Sequence, residues 1–480
     1  MNAIRLSLLA LLLTLAPALE PRLLAESKGS RDPVLHWNEI ALDAVVDDHS
    51  FTYGFPEQGG PTRTARALAI VHIAMFDAVN AISGNYKPYI AVKGFSHAQL
   101  HSASLDAAVA QAARDTLVAL YPNQTDEFDR RLKKALADVS SRPGRDYGVA
   151  IGARAAANIL GMRTGDGGDD PNLPFEPDPD AAPGEHQPDP LNPGQGLLTP
   201  MWGLVTPFAM DDVTNFHAPA PPQPDSTDFN ERLEYFLAYE QVRMLGGDGV
   251  TTPTLRTPEQ TQIGIFWGYD GTIGLGVPPR LYNQIARVIA QRERNSVAEN
   301  ARLFALVNIA MADAGIASWF SKYYYDFWRP VVAIRRGGNG QLDDDDGNEL
   351  TVGDTGWTPL GAPASNGSNG GVNFTPNFPA YTSGHATFGA AAFRTLANLY
   401  GDDYKFSFMS DEFNGRTTDS QGNVRPRVVR HFESFSQAAR ENADSRIYLG
   451  IHWIFDADEG IAIGNDIADY AFDHLLQPAR

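Results

Sequence analysis

The sequence contains no cysteine among its 480 residues. This absence excludes disulfide bonds, a thiol nucleophile, iron–sulfur clusters and cysteine-ligated zinc. Basic residues are also scarce, with 38 Lys and Arg against 58 Asp and Glu, which gives a formal net charge of −20. Nucleic acids and anionic membrane surfaces repel such a chain at long range, so we expect neither as a partner. A local group of cations that binds an anion would stand out against this background.

Long uninterrupted apolar runs are rare as well. One follows Arg5 at residues 6–15; it is too short to span a bilayer comfortably and is typical of a secretory signal. We predict a signal peptide at residues 1–25, cleaved after Ala18 or after Ala25, rather than an uncleaved membrane anchor. We expect no other stretch of membrane-spanning length, and therefore an exported protein, periplasmic or secreted, without stable membrane association.

Alternating strand patterns are scarce too, whereas Ala-rich apolar residues recur at helical spacing. Helices are predicted at residues 64–82, 105–120, 147–162, 229–244, 258–267, 280–292, 297–327, 383–400, 427–442, 445–455 and 460–476. Residues 165–224 are dense in Pro, Gly and Asp, a composition that forbids long helices and sheet interiors. We interpret this excursion as a linker or as a lid packed over a pocket. A second Gly- and Asn-rich loop is expected at residues 337–377.

The simplest layout is a mainly α fold of two helical bundles with long Pro- and Gly-rich irregular loops. We assign residues 26–225, including the excursion, to an N-terminal bundle and residues 226–480 to a C-terminal bundle. The chain length permits two or three domains, so this division is compatible with it. The residues that carry chemistry fall in the second bundle, where we expect the active site.

The first of three chemical clusters contains Lys322 and Arg329, seven residues apart. On a helix both cations project from one face, and Pro330 then stops or bends that helix. By itself this spacing is also typical of a solvated surface stripe. The neighbouring aromatic residues, which include Trp319 and Trp328, indicate partial burial instead, and buried cations need an anion.

The second cluster is the segment 378–385, which precedes an Ala-rich helix. Thr382 or Ser383 is a natural N-cap, so the first N–H groups and the positive end of the helix dipole form an anion site. Gly384 lets a ligand approach the backbone, and His385 stands at the mouth of the site, placed to exchange a proton. An ordinary capped helix with a surface histidine is the alternative.

The third cluster contains Ser445, Arg446, His452 and Asp456. On one predicted helix, Ser445, His452 and Asp456 share a face. Asp456 would accept a hydrogen bond from one imidazole nitrogen and leave the other as a Lewis base toward a metal or phosphorus. Such a His–Asp pair alone is usually structural. Together with the other two clusters, it predicts a single site for an oxyanion.

The order of these motifs, K-x6-R-P, S-G-H and S-R-x5-H-x3-D, resembles the signature shared by vanadium-dependent haloperoxidases and the acid phosphatases of the phosphatidic acid phosphatase superfamily. Longer stretches, including FWGYDGT, YDFWRP, FPAYTSGHATFG and ENADSRIYLGIHWIFDA, look like the chloroperoxidase-like branch over most of residues 260–460. The helix at residues 66–78 is similar to the N-terminal region of that branch.

The resemblance implies a vanadate cofactor that is coordinated by His452. The groups that would hydrogen-bond its oxygens are Lys322, Arg329, Ser383, the Gly384 amide and Arg446. His385 would be the acid–base residue, and Asp270 would pair with Arg446 and steady it. Lys322 would also polarise hydrogen peroxide.

The same resemblance assigns Phe378 and Trp319 to an apolar wall on the halide side. Thr382 departs from the pattern, because it replaces the Pro that usually opens P-S-G-H. Pro would rigidify this turn, whereas Thr has a free N–H and a second hydroxyl and also caps helices. The predicted ligand set is otherwise intact.

The resemblance implies oxidation of halide by hydrogen peroxide to a hypohalous-acid equivalent, which halogenates a diffusible organic acceptor. The alternative is an acid phosphatase in which His452 attacks phosphorus and His385 protonates the leaving group. Phosphate and vanadate share shape and charge, so phosphate is expected to fit the same site. A third interpretation is an anion-binding module without chemistry. The chloroperoxidase-like flanks and Phe378 favour halide oxidation.

Overall fold

The computed structural model describes residues 32–168, 181–271, 273–336, 346–362, 373–419 and 422–479. The predicted signal peptide lies outside the described residues, as do parts of both irregular loops. Within these ranges the chain is mostly helical, which confirms the predicted mainly α class. The helices are α1 (Pro33–His49), α2 (Gly60–Ser83), α3 (His97–Ser102), α4 (Leu105–Leu120), α5 (Thr125–Ala137), α6 (Arg142–Met162), α7 (Phe229–Leu245), α8 (Pro258–Phe266), α9 (Pro278–Glu293), α10 (Val297–Tyr325), α11 (Pro330–Arg336), α12 (Gly384–Tyr400), α13 (Phe435–Tyr448) and α14 (Ile454–His474).

The one sheet among the described residues is a short antiparallel pair, β1 (Phe406–Phe408) and β2 (Arg430–Phe432). Phe406 and Phe432 are register partners, and their rings stack with centroids 4.9 Å apart. The helix predicted at residues 427–442 is therefore wrong in its first part. α13 begins only after Ser434, whose side chain accepts a hydrogen bond from the Gln437 N–H and caps the helix.

The two longest helices, α2 and α10, pack against each other in the interior. α10 begins with a capping box between Ser296 and Glu299 and is apolar on all sides, as expected of a buried helix. Both helices are long and apolar enough to cross a membrane, so the expectation that no later stretch has that length is wrong. Their most apolar windows are 89% and 94% buried within the protein, as is typical of core helices.

A single continuous cluster of buried apolar side chains runs through both halves of the chain. It joins residues of the N-terminal helices, such as Val34 and Met75, to residues of the C-terminal helices, such as Trp319 and Ile467. The described parts of the two predicted bundles therefore share one core. The boundary at residues 225 and 226 stays a prediction.

Close packing of α14 against the start of α12 depends on two glycines. An added Cβ on Gly460 would lie 3.0 Å from the Ser383 carbonyl oxygen and 2.9 Å from the Ala386 Cβ. On Gly464 it would clash with the Thr387 carbonyl oxygen, a backbone atom that has no freedom to rotate away. The absence of side chains at these positions lets α14 hold the first turn of α12 in place.

We predict that Gly464→Ala destabilises the protein. Helix propensity alone would favour Ala by up to about 1 kcal/mol. Overpacking against the backbone of α12 outweighs that gain, so we expect the free energy of unfolding to fall by about 1–3 kcal/mol. Urea denaturation measures this change, with the solvent-facing helix position Gly161→Ala as control because nothing lies within 4 Å of its added Cβ. A Gly464→Ala variant as stable as the parent would contradict the packing argument.

Candidate active site

The three clusters predicted from the sequence meet around one cavity of about 210 Å³. Seven of the predicted residues line it: Asp270, Trp319, Phe378, Gly384, His385, Arg446 and His452. The remaining three, Lys322, Arg329 and Ser383, are buried. Lys322 and Arg329 donate to carbonyls of residues 378–380, and the Ser383 N–H donates to the Asp456 carbonyl. Residues that are far apart in the sequence therefore converge on one place.

The first cluster does not lie on one helix. α10 ends at Tyr325, and Asp326 adopts a left-handed conformation with φ 48°. Pro330 then opens α11 at the position where a helix tolerates its missing N–H. The prediction that both cations project from one face of a single helix is therefore wrong. The bend nevertheless brings Arg329 back beside Lys322, and the two cations lie 4.9 and 5.0 Å from the Phe378 ring centroid.

Lys322 is completely buried, and its ammonium group is held by backbone oxygens. Nζ donates to the carbonyls of Pro379 and Ala380, both at 2.8 Å. An ammonium has three donors, so a third N–H remains for a ligand. Burial, and then the neighbouring Arg329, lower the pKa of Lys322 well below its usual range. A bound anion would counter both effects and favour the charged form.

Arg329 joins the first and third clusters. Its Nε donates to the Phe378 carbonyl at 2.8 Å, and its Nη1 donates to the Ile451 carbonyl at 2.8 Å and to His452 Nε2 at 2.9 Å. Nη2 is buried and has no hydrogen-bond partner in the described part of the chain. Burial lowers the pKa of Arg329 to about 9. One donor of this guanidinium is thus left for an anion.

The start of α12 supplies the expected helix N-terminus. Ser383, not Thr382, is the N-cap: its Oγ accepts from the Ala386 N–H at 3.5 Å, and its own N–H donates to the Asp456 carbonyl at 2.9 Å. The first N–H groups of a helix have no acceptor within the helix. The Gly384 N–H can therefore donate into the cavity that this residue lines.

Thr382 keeps the turn in place of the usual Pro through contacts with neighbouring helices. Its Oγ1 lies 3.3 Å from Ser318 Oγ and 3.5 Å from Thr387 Oγ1. Both neighbours are buried, and Ser318 Oγ also approaches the Thr382 carbonyl at 3.4 Å. The hydroxyl of Thr382, which Pro would lack, is therefore accommodated between α10 and α12.

His385 is held as a neutral base. Its Nε2 donates to the Gly268 carbonyl at 2.7 Å, so Nδ1 is the unprotonated nitrogen. Burial and the nearby Arg446 lower its pKa well below the usual value. The His385 carbonyl accepts from Asn442 Nδ2 at 2.7 Å and from the Tyr282 hydroxyl at 3.0 Å, which fixes the first turn of α12. Asn442 lies in one of the stretches that carry the resemblance, yet neither of these two supporting residues was given a role from the sequence.

The third cluster is also divided between helices. α13 ends at Tyr448, and the chain turns at Gly450, whose φ is 75°. An added Cβ there would lie 2.6 Å from the Gly246 carbonyl oxygen, so only glycine fits. The predicted helix through residues 445–455 is therefore wrong, and Ser445 and His452 do not share a helix face.

His452 nevertheless makes the predicted pair with Asp456. Its Nδ1 donates to Asp456 Oδ2 at 2.7 Å, from the connection that precedes α14. Burial lowers the pKa of His452, and three nearby cations, of which Arg329 has the largest effect, lower it further. Burial raises the pKa of Asp456 to about 7. With the proton on Nδ1, Nε2 carries the lone pair and can act as a Lewis base.

Arg446 is paired with Asp270, as the resemblance implied. Its Nη2 lies 2.6 Å from Asp270 Oδ1, and the guanidinium is completely buried. Arg446 Nε is buried without a partner among the described residues. Burial raises the pKa of Asp270, while Arg446 opposes that shift. The pair fixes the guanidinium and leaves one of its donors unused.

We predict that the Asp270→Asn substitution lowers the stability of the protein, and that a bound oxyanion restores only part of this loss. Removing the charge leaves Arg446 buried without a counter-ion, which typically costs about 3–5 kcal/mol. Vanadate or phosphate binds only the folded chain and replaces part of the lost charge, so it should raise the melting temperature of the variant more than that of the parent. Thermal unfolding with and without each anion measures this; equal melting temperatures for variant and parent without an anion would contradict it.

The donor set fits an oxyanion. Three buried cationic side chains, Lys322, Arg329 and Arg446, surround the site, together with the carboxyl groups of Asp456 and of Asp270, whose side chain is 5% exposed. A bound oxyanion would favour the charged form of all three cations. Two buried guanidinium N–H groups, Arg329 Nη2 and Arg446 Nε, lack partners in the described chain. Within the described ranges, no group of three or more His, Asp or Glu side chains is placed to hold a metal cation. A tetrahedral or five-coordinate oxyanion would satisfy the unused donors, with His452 Nε2 as its nitrogen ligand.

The cavity wall beside the cations is aromatic. The ring centroids of Trp319 and Phe378 are 4.8 Å apart, and both rings approach Lys322. Leu198, in the Pro-rich excursion, lines the cavity and accepts hydrogen bonds from Trp319 Nε1 and the Tyr323 hydroxyl. The described part of the excursion thus packs over the pocket, which favours the lid interpretation. No site residue was predicted there from the sequence.

Comparisons with known proteins identify the family of the chain. Residues 25–161 match a family described as the vanadium chloroperoxidase N-terminal domain, and residues 302–480 match the second helical-bundle domain of the same protein. Vanadium chloroperoxidase from Curvularia inaequalis is 33% identical, over 88% of this chain and 79% of its own length.

Solved structures with the same fold include the first bacterial vanadium-dependent iodoperoxidase, with a TM-score of 0.73, 23% identity and coverage of 93% of this chain and 98% of its own. A holo-type bacterial vanadium-dependent chloroperoxidase matches with a TM-score of 0.62 and 19% identity, covering 88% of this chain and 94% of its own. These two structural matches show the fold, whereas the sequence matches show family membership. The chain therefore belongs to the vanadium chloroperoxidase family.

Proposed function

We propose that this protein binds vanadate and oxidises halide with hydrogen peroxide to a hypohalous-acid equivalent. The observation that carries the proposal is the ring of buried cations around the lone pair of a neutral histidine. Arg329 Nη2 and Arg446 Nε are donors without protein partners in the described chain, and His452 Nε2 lies beside Arg329. When bound, vanadate(V) supplies a Lewis-acid centre that activates peroxide without changing its own oxidation state.

The residues that would hold the cofactor divide by role. His452 would coordinate it through Nε2, because Asp456 keeps the proton on the other nitrogen. The hydrogen-bond donors would be Lys322, Arg329, Ser383, the Gly384 amide and Arg446. The positions of these donors are fixed before any substrate arrives, so little reorganisation is needed when negative charge builds up.

Two further features suit peroxide chemistry. His385 would accept a proton from hydrogen peroxide through Nδ1, since Nε2 is committed to the Gly268 carbonyl. The third N–H of Lys322 withdraws electron density from an oxygen placed beside it. Phe378 and Trp319 exclude water and leave an apolar side for a halide, whose oxidation is easier when it is less hydrated.

We propose that the organic acceptor is diffusible, since a hypohalous acid needs no dedicated binding pocket. We also propose that phosphate occupies the same site in the absence of vanadate, because it presents the same oxygens to the same donors. A phosphatase reaction would use the same lone pair on His452. The family relationship supports halide oxidation over that alternative.

A pair of assays tests this function. The protein freed of bound anions and reloaded with orthovanadate should chlorinate or brominate monochlorodimedone when peroxide and halide are present, and should lose this activity without vanadate. The vanadate-free protein should hydrolyse p-nitrophenyl phosphate poorly or not at all. Efficient phosphate hydrolysis without peroxide-dependent halogenation would establish the phosphatase alternative, and tight anion binding with neither activity would indicate a binding module.

Export is a separate part of the proposal and rests on residues 1–25 alone. An apolar run of this length behind Arg5 supports cleavage by a signal peptidase and release as a periplasmic or secreted protein. N-terminal sequencing of the protein recovered outside the cytoplasm should start at Leu19 or Glu26. Recovery of the full-length chain from the membrane fraction would argue for an uncleaved anchor.

A further inference from the structure

His186, in the Pro-rich excursion, is a buried histidine without a role in the site described so far. It is 2% exposed, and neither of its ring nitrogens has a hydrogen-bond partner among the described residues. Its backbone N–H donates to the Asp326 carbonyl at 2.6 Å, which ties it to the end of α10, close in sequence to Arg329. Two unpartnered nitrogens on one buried ring are costly unless something else binds them.

A second cavity of about 140 Å³ lies at this histidine. His186, Asp189, Gln195 and Asn377 line it, together with apolar residues of the excursion. A water molecule occupies about 30 Å³ in the liquid, so a small guest fits easily. The two Asp189 oxygens are already used by backbone N–H groups and a neighbouring amide, which leaves the imidazole as the unsatisfied polar group.

The second cavity is next to the candidate active site. Asn377 lines both cavities. Its side-chain amide donates to the Gln195 carbonyl at 3.4 Å, and its own carbonyl accepts from the Leu198 N–H at 3.1 Å. Asn377 and residues 195–198 therefore separate the two cavities. A molecule held at His186 is therefore one side chain away from the cationic site.

The charges around His186 select the kind of guest. Burial and the cations Arg329 and Lys322 lower its pKa to about 3, so the ring is neutral and offers one donor and one acceptor. A halide can accept a hydrogen bond from the N–H but has no hydrogen to donate to the other nitrogen, so it suits only one side of the ring. The two ring nitrogens point away from each other, so one small molecule binds to one of them. A neutral hydroxylic molecule both donates and accepts, and it therefore suits either nitrogen.

We propose that this cavity is a holding site for hydrogen peroxide, positioned by His186 before it passes Asn377 to the oxyanion site. The proposal rests on the proposed function, in which hydrogen peroxide is the oxidant. Water has the same donor and acceptor character, so the experiment must separate peroxide from water. His186 acts here as a positioning residue and takes no part in the proposed chemical step.

The kinetic test compares two variants of the full-length, vanadate-loaded protein. His186→Phe removes both nitrogens, and we expect the KM for hydrogen peroxide to rise about tenfold, the size of one lost hydrogen bond. The KM for halide and the vanadate affinity should stay within about twofold, a split that a purely structural role would not give. His186→Gln keeps a donor and an acceptor and should restore most of the peroxide KM. An unchanged peroxide KM in His186→Phe, or a parallel loss of vanadate affinity, would overturn the proposal.

A binding measurement keeps the inference separate from the proposed activity. In full-length protein labelled with 15N-histidine and free of vanadate, the His186 ring resonances, assigned with His186→Gln, should shift on addition of hydrogen peroxide and saturate. Ring resonances that do not respond would mean that water alone fills the cavity, and the proposal would be wrong. If the loaded parent oxidises no halide, the proposed function fails, while this titration still decides what the cavity binds.

Discussion

Replacing His452 with alanine should abolish vanadate retention. Its Nε2 lies within hydrogen-bond distance of Arg329 among the buried cations, and Asp456 keeps the proton on the other side of the ring. Loss of a residue that merely supports a metal ligand typically costs about 10- to 100-fold in affinity, so loss of the ligand itself should exceed about 100-fold. Equilibrium dialysis against orthovanadate, with elemental analysis of the retained vanadium, measures the change.

Two controls sharpen this test. His217→Ala removes an exposed histidine away from the cavity and should bind vanadate like the parent. Asp456→Asn should give an intermediate affinity, because an amide holds the imidazole, and the proton on its Nδ1, less firmly than a carboxylate does. A folded His452→Ala protein that retains vanadate with the parent's affinity would show that the ligand lies elsewhere.

Replacing Lys322 with alanine should separate cofactor binding from turnover. Arg329, Arg446 and the start of α12 would still hold the anion, so part of the vanadate affinity should remain. Halide oxidation should fall by about 100- to 1,000-fold at saturating vanadate, the usual loss of about 3–4 kcal/mol for one preorganised donor. The variant also leaves the carbonyls of Pro379 and Ala380 without their donor, so thermal unfolding must confirm that it folds.

Lys322→Met distinguishes charge from packing. Methionine fills similar space beside the Phe378 and Trp319 rings but cannot donate a hydrogen bond. The turnover of Lys322→Met should therefore match that of Lys322→Ala, whereas its melting temperature should be higher. Lys405→Ala removes an exposed lysine and should change neither quantity. Unchanged turnover in both Lys322 variants at saturating vanadate would contradict the role assigned to this cation.

The helical core was predictable because its pattern is local. α2 and α10 are long and apolar, and the cap of α10, Ser296 with Glu299, is readable within a single turn. Where helices end was less predictable. Asp326 and Gly450 follow α10 and α13 in left-handed backbone conformations, and the need for Gly450 comes from Gly246, which is far away in the sequence. No local pattern carries such a requirement.

The candidate site was predictable for a different reason. Its ligands occur in short motifs, so Lys322, Ser383 and His452 could be named even though the assumed helices through two of the motifs were wrong. The motifs identify which residues take part in the site, whereas the turns of the chain bring those residues into contact. Residues that support the site through tertiary contacts, such as Asn442 beneath α12 and Leu198 over the cavity, were given no role, because nothing in their local sequence shows which distant group they contact.

The most direct measurement is the vanadium content of the parent protein, set against its activity. We predict one vanadium atom per chain after dialysis against orthovanadate, displacement by excess phosphate, and peroxide-dependent halide oxidation that rises in proportion to the vanadium bound. These results follow if the buried cations and His452 form a single oxyanion site. Halide oxidation that is independent of bound vanadium, or no stoichiometric vanadium in a folded protein, would contradict it.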